Sequence, residues 1–251
     1  MLVVGIRQLA TLKGPARPRV GAEMRDLAVV PDGALLIQDG HIRALGSRAQ
    51  VEPLAGNAAV VDAGGRVVLP GFVDCHTHAI FGGNRVDEYE MRAEGASYQE
   101  IAARGGGIRS TMAKTRAASE RELFESSQRR LAWFLRGGTT TVEVKSGYGL
   151  SVEAELKMLR VAKALADAGP LRVHVTFLGA HAIPPEFESR RADFVAAVAR
   201  DMLPQVVENG LAGACDIFVE ANYFDESDAR RILGEARLHG LALRMHVDQL
   251  G

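Results

Sequence analysis

The sequence predicts an α/β protein: a parallel-stranded (β/α)8 barrel of the TIM type, here apparently truncated, behind a small N-terminal β-rich domain. Three observations point there. Before about Pro70 the apolar residues fall in short runs parted by Asp-Gly and Gly-Gly. From Arg66 onward strand-like apolar runs alternate with amphipathic helical ones, and polar side chains follow most of those runs. The domains predicted are residues 1–69, β-rich, and 70–251, the barrel part.

Each element has its own signal. Asp39-Gly40 between Ala34–Ile37 and Ile42–Leu45 reads as a type I′ hairpin, whose two central residues both need positive φ. Val60 to Val68 repeats the pattern around Gly64-Gly65. Strands follow at Val67 to Val73, Thr139 to Val144, Arg172 to Leu178, Cys215 to Glu220 and Ala242 to Val247. A helix from Ser119 to Leu135 opens on the capping box Ser119-x-x-Glu122 and sets Leu123, Leu131 and Phe134 near one face. A second, Ser151 to Ala168, stops at Gly169-Pro170. Two more, Ala192 to Asn209 and Asp225 to His239, end at Gly210 and Gly240.

Such alternation also suits an open doubly wound sheet, which gathers its ligands at one crevice. Here His76 and His78, Lys145 to Tyr148, His181, Glu220 with Asn222, and His246 each follow a different run, as at the C-terminal face of a barrel. Five strand–helix units are too few to close a barrel of eight. The expectation is therefore an N-terminal portion of a barrel. Its last strand would keep an apolar unpaired edge, so the chain alone is expected to be aggregation-prone and inactive.

Composition narrows the partners. The 251 residues are 47% hydrophobic, which excludes a disordered chain. Thirty Lys and Arg against 31 Asp and Glu leave no basic excess for a phosphate backbone, so no nucleic-acid partner is expected. Two cysteines cannot build a disulfide framework and fit a reducing compartment. No apolar run approaches the roughly 20 residues of a membrane span, and Arg7 interrupts any signal-peptide core. A cytoplasmic location without membrane contact is expected.

The sharpest chemical feature is Pro70-Gly71-Phe72-Val73-Asp74-Cys75-His76-Thr77-His78. On an extended segment, residues i and i+2 share a side, so two imidazoles leave the strand together and can hold one metal ion. The plainer alternative is a pair of surface histidines near a turn. His246 taken alone is as readily a buried strand histidine as a ligand. Arg85 alone reads as a solvated arginine, and the glycines around it as plain turns.

The Pro70–His78 segment resembles the first barrel strand of the amidohydrolase superfamily. Phe81-Gly-Gly-Asn-Arg85, Gly105-Gly-Gly-Ile108, Lys145-Ser-Gly-Tyr-Gly-Leu150, Leu178-Gly-Ala-His-Ala182, Asp216-Ile-Phe-Val-Glu220 and His246-Val-Asp-Gln249 follow in an order similar to the imidazolonepropionase family, over essentially the whole chain. The resemblance implies metal-dependent opening of the cyclic amide of 4-imidazolone-5-propanoate to N-formimidoyl-L-glutamate, in histidine degradation. It implies His76, His78 and His246 as ligands of one zinc or iron ion per subunit. It implies Arg85, Tyr148, His181, Gln249 and Tyr98 as substrate contacts. It also implies that His181 and Gln249 take part in catalysis, His181 bonding the ring or the developing oxyanion and Gln249, which cannot abstract a proton, only hydrogen-bonding.

Family members continue past Gly251 and supply there a metal-ligand Asp, a catalytic His and the last strands. Glu143, Lys145, His174, Cys215 and Glu220 are read either as support for the site or as strand packing. His41 and His239 are assigned no role. The partner implied is the small-molecule substrate, and a homodimer is compatible with it. Two other readings stay open: another amidohydrolase acting on a cyclic amide or amidine, and an inactive fragment lacking the C-terminal strands.

Overall fold

A computed structural model describes residues 1–97, 100–101, 105–221 and 223–249. The chain divides into two compact units, Met1–Gly71 and Phe72–Gly251.

The first unit is a mixed four-stranded sheet of β1 (Leu2–Ala10), β2 (Val29–Gln38), β3 (His41–Ser47) and β4 (Val60–Val68), in the order β3-β2-β1-β4. The hairpin between β2 and β3 turns on Asp39 and Gly40, with φ of 51° and 74°. The second Gly pair does something else. β4 runs parallel to β1 as one strand, and Gly64 and Gly65, at φ of 62° and 72°, form an irregularity where the register with β1 shifts. Glycines that permit positive φ serve a bulge as well as a turn, and the free edge of β1 selects the bulge. A short helix, α1 (Arg48–Val51), adds Val51 to a core of Leu2, Val4, Ala34 and Leu36.

The second unit holds β5 (Phe72–Thr77), β6 (Thr139–Lys145), β7 (Arg172–Ala180), β8 (Ala214–Ile217) and β9 (Ala242–Leu243). All pairs are parallel and the spatial order is the chain order, β5-β6-β7-β8-β9. A doubly wound sheet reverses its order at a switch point; an order that never reverses is that of a barrel. The run read as one strand from Val67 to Val73 is divided: Val67 and Val68 end β4, and Phe72 and Val73 begin β5. Pro70, with no N–H to give a ladder, lies in the gap. The last two runs are only partly regular, although a bridge between Phe218 and His246 carries the pairing further.

The helices of this unit are α2 (Val86–Ala93), α3 (Ile108–Ala117), α4 (Glu120–Arg136), α5 (Val152–Ala168), α6 (Arg191–Ala197), α7 (Leu203–Glu208) and α8 (Glu226–Leu238). The sequence announced neither α2 nor α3. α2 buries no residue, and α3 buries Thr111 and Thr115 beside Met112, so neither carries a full apolar stripe. The single helix expected from Ala192 to Asn209 is three pieces: α6 and α7 flank a wide π turn over Val198–Met202. Pro204 follows that turn and cannot donate an intrahelical bond.

Alternation along the strands separates two faces. Val142 and Val144 of β6 pack with Leu123 of α4 and Met158 and Leu165 of α5. Cys215 and Ile217 of β8 pack with Phe194 of α6 and Ile232 of α8. The opposite face carries Glu143, Lys145, Thr176 and Asp216, all buried. No helix among the described residues is long and apolar enough to cross a membrane.

The cap of α4 is testable. Ser119 accepts the Glu122 backbone N–H at 3.3 Å, and Glu122 reaches back to the Ser119 N–H at 2.8 Å. Ser119→Ala should lower unfolding free energy by about 1 kcal/mol, measured as a reduced urea midpoint with an unchanged slope.

Candidate active site

His76 leaves near the end of β5 and His78 just beyond it, with ring centroids 5.7 Å apart. Thr77 between them turns the other way, and its hydroxyl donates to the Glu143 carbonyl at 2.5 Å, tying β5 to β6. His246 follows β9, and its Nε2 is 3.1 Å from His76 Nδ1. His78 stacks on His181 at 4.9 Å between centroids, 15° from parallel, and Tyr148 lies 5.2 Å from His78.

The charged form is disfavoured in His76, His78 and His181. Burial, then the neighbouring His181, push His78 down to about 3. Burial also lowers His76 and His181, and in His181 the Gly147 carbonyl opposes that shift. Tyr148 moves the other way: burial raises its hydroxyl and Arg85 partly offsets this. Neutral imidazole is the form that binds a metal. No three His, Cys, Asp or Glu side chains among the described residues are already gathered at ion-binding distances. The donor set nevertheless fits an ion. His78 Nδ1 is buried with no hydrogen-bond partner, and two other imidazole nitrogens face each other.

Behind the histidines the sheet interior is charged. Lys145 Nζ donates to Asp216 Oδ2 at 2.8 Å and lies 2.7 Å from Glu143 Oε2, an ion pair without hydrogen-bond alignment. Glu143 Oε1 takes the Thr176 hydroxyl at 2.5 Å and pairs with Arg244 Nε at 2.8 Å. His246 Nδ1 stands 2.9 Å from Asp216 Oδ2, off the hydrogen-bonding angle. Lys145 and Arg244 thus face Glu143 and Asp216 in this interior.

A cavity of about 340 Å³ brings His76, His78, Arg85, Tyr148, His181, His246 and Gln249 together, with Phe218 and Ile108 in its wall. That volume suits a small ring-sized ligand. Arg85 donates from Nε to the Thr111 hydroxyl at 2.9 Å. The Gln249 backbone N–H bonds to Glu220 Oε1. Tyr98 and Asn222 lie outside the described residues.

A sequence profile described as "Amidohydrolase family" matches residues 59–108. Imidazolonepropionase of Solibacter usitatus is 54% identical over 248 residues, 98% of this chain and 59% of that protein. The enzyme of that name from Symbiobacterium thermophilum is 49% identical over 254 residues, 100% of this chain and 59% of that one. The chain is a homologue of the imidazolonepropionases. It spans about 59% of the length of these curated relatives. In fold it is similar to a mutant atrazine chlorohydrolase from Arthrobacter aurescens TC1 solved with zinc and atraton. That match has a TM-score of 0.59 at 14% identity, over 99% of this chain and 53% of that one. The fold is thus a portion of the amidohydrolase-type barrel, five parallel strands with their helices, together with a small β-rich unit.

Beside the residues that the imidazolonepropionase resemblance singles out, the structure adds three. Asp216 meets His246, Thr111 holds Arg85, and Glu155 supports the Tyr148 loop. Sequence reading missed them because each acts through a partner distant in the chain or, for Glu155, reads as one more helix carboxylate. Lys145→Met should destabilise the protein by about 3–5 kcal/mol, since it leaves buried carboxylates short of a cation. An unchanged urea midpoint would show that Lys145 does not compensate them.

Proposed function

We propose that the protein is a metal-dependent hydrolase that opens the cyclic amide of 4-imidazolone-5-propanoate to N-formimidoyl-L-glutamate. The observation that carries this is the convergence of Arg85, Tyr148, four imidazoles and Gln249 on one ring-sized cavity. The identity to curated imidazolonepropionases supports the choice of substrate. His76, His78 and His246 would hold one zinc or iron ion, since imidazole suits both, and zinc is the metal of the similar chlorohydrolase structure. A metal bound there supplies nucleophilic water at neutral pH and polarises the carbonyl that is attacked.

The chain's own residues bind and orient. Thr111 fixes Arg85 at Nε. Among the described residues nothing bonds its two terminal nitrogens, which leaves a planar pair of donors for the propanoate carboxylate. Tyr148 stays protonated well above neutral pH and can donate its hydroxyl to the same ligand. Gln249, anchored through its backbone by Glu220, offers an amide that donates and accepts but cannot act as a base. Hydrolysis gives the ring carbonyl carbon a new oxygen and the departing ring nitrogen a proton. Holding the tail makes that attack effectively unimolecular.

The test uses a version that spans the full length of the relatives, loaded with zinc or iron. Mixing it with 4-imidazolone-5-propanoate should release N-formimidoyl-L-glutamate. Chelation should abolish turnover, and resupply of the ion should restore it. Metal-loaded protein that leaves this lactam intact would overturn the proposal. Replacing both His76 and His78 with Ala should remove bound metal, read by elemental analysis, together with activity. Arg85→Lys keeps the charge but loses the fork. A charge-assisted hydrogen bond contributes about 1.5–3 kcal/mol, so kcat/KM should fall roughly ten- to a hundredfold.

A further inference from the structure

The loop Ser146–Leu150 is organised around one carboxylate that the proposed reaction does not use. Glu155, in the first turns of α5, is fully buried. It accepts the backbone N–H of Gly147 at 3.0 Å, of Gly149 at 2.7 Å and of Leu150 at 2.8 Å. The Ser146 side chain hydrogen-bonds the same carboxylate, and its oxygen also accepts the Leu178 N–H at 2.9 Å. Burial raises the Glu155 carboxyl while these donors oppose the shift. Three backbone N–H groups of one short loop therefore converge on a single carboxyl group, with the Ser146 hydroxyl beside them.

The loop in turn holds His181. The Gly147 carbonyl lies 2.9 Å from His181 Nδ1. A carbonyl only accepts, so Nδ1 carries the hydrogen and Nε2 of the neutral ring keeps its lone pair. Approach this close requires glycine. A Cβ on Gly147 would sit 2.9 Å from His181 Nδ1 and 2.8 Å from the Leu178 carbonyl, at a φ of 107°.

We propose that Glu155 is a positioning residue that locks the tautomer of His181. By gathering the N–H groups of Gly147, Gly149 and Leu150 it aims the Gly147 carbonyl at Nδ1, and His181 meets the cavity as a hydrogen-bond acceptor. Resting on the hydrolase reading above, this assigns His181 to a ring N–H of the substrate. It also removes neutral His181 as a donor to an oxyanion, because its one hydrogen is already committed to Gly147. The site then selects cyclic amides or amidines that present an N–H there.

The experiment reads the tautomer directly. Protein with ¹⁵N-labelled histidine rings is studied by long-range ¹H–¹⁵N correlation, and His181 is identified by loss of its signals in His181→Gln. The wild type should show hydrogen on Nδ1. Glu155→Gln keeps the shape but sets an NH2 group against backbone donors. A single hydrogen bond biases two states about five- to tenfold, and that bias should shrink or reverse in the variant. Glu155→Asp keeps a carboxyl acceptor for the backbone N–H groups and should retain more of the Nδ1–H form than Glu155→Gln. The proposal is overturned by a wild-type His181 carrying its hydrogen on Nε2, which needs no variant to fold. It is equally overturned by a folded Glu155 variant with an unaltered tautomer. A locked Nδ1–H tautomer in protein that ignores the lactam would sink the hydrolase reading and leave this one standing.

Discussion

The buried ion cluster of Glu143, Lys145 and Asp216 is the constraint on which the rest of the second unit depends. Each group is almost wholly removed from water, where an unpaired charge would cost several kcal/mol. None can be buried unless the others arrive. Lys145 and Glu143 come from β6, Asp216 from β8, and Arg244 joins just past β9. Pairing therefore ties the relative register of three strands to a charge balance. A slip of β6 by one residue would turn Lys145 and Glu143 together toward the helices and leave Asp216 buried without its cation. The same cluster reaches the candidate site through Asp216, whose carboxylate stands beside His246.

A second support comes from the helix side. Lys157 of α5 donates to the carbonyls of Thr115, Arg116 and Ala118 at 2.7–3.1 Å, and Arg116 donates to those of Gly149 and Leu150 at 2.6 and 3.0 Å. The C-terminal end of α3, the Tyr148 loop and the start of α5 are thus cross-tied through backbone oxygens. Thr111 on that same α3 holds Arg85. Arg85, Tyr148 and His181 consequently share one framework. Loops carry the functional groups here, and buried polar side chains restrict how far those loops can move.

Local chemistry was legible from the chain alone. Asp39-Gly40 makes its turn because both residues tolerate positive φ, and Ser119 with Glu122 caps a helix because the two reach each other across three residues. His76 and His78 share a side because strand side chains alternate. Where local signals admit two outcomes, distance in space chose. Gly64-Gly65 became a bulge because β4 found β1 instead of folding back on itself. The helix from Ala192 became α6, a π turn and α7 around Pro204.

By itself, then, the sequence determined the alternation of strands and helices, the caps and the tight turn, and the pair of histidines leaving the first barrel strand. All are set by propensities and contacts within a few residues. It also carried the motifs that align the chain with the imidazolonepropionases. Only the tertiary structure decided which charges balance one another and which nitrogen of His181 keeps its lone pair. Lys145 meets Asp216 across 71 positions, and His181 meets the Gly147 carbonyl across 34. Nothing in either local stretch specifies such a partner. The partners are set when parallel strands stack in chain order and bring their polar residues to one face, where burial makes any unpaired group too costly to keep.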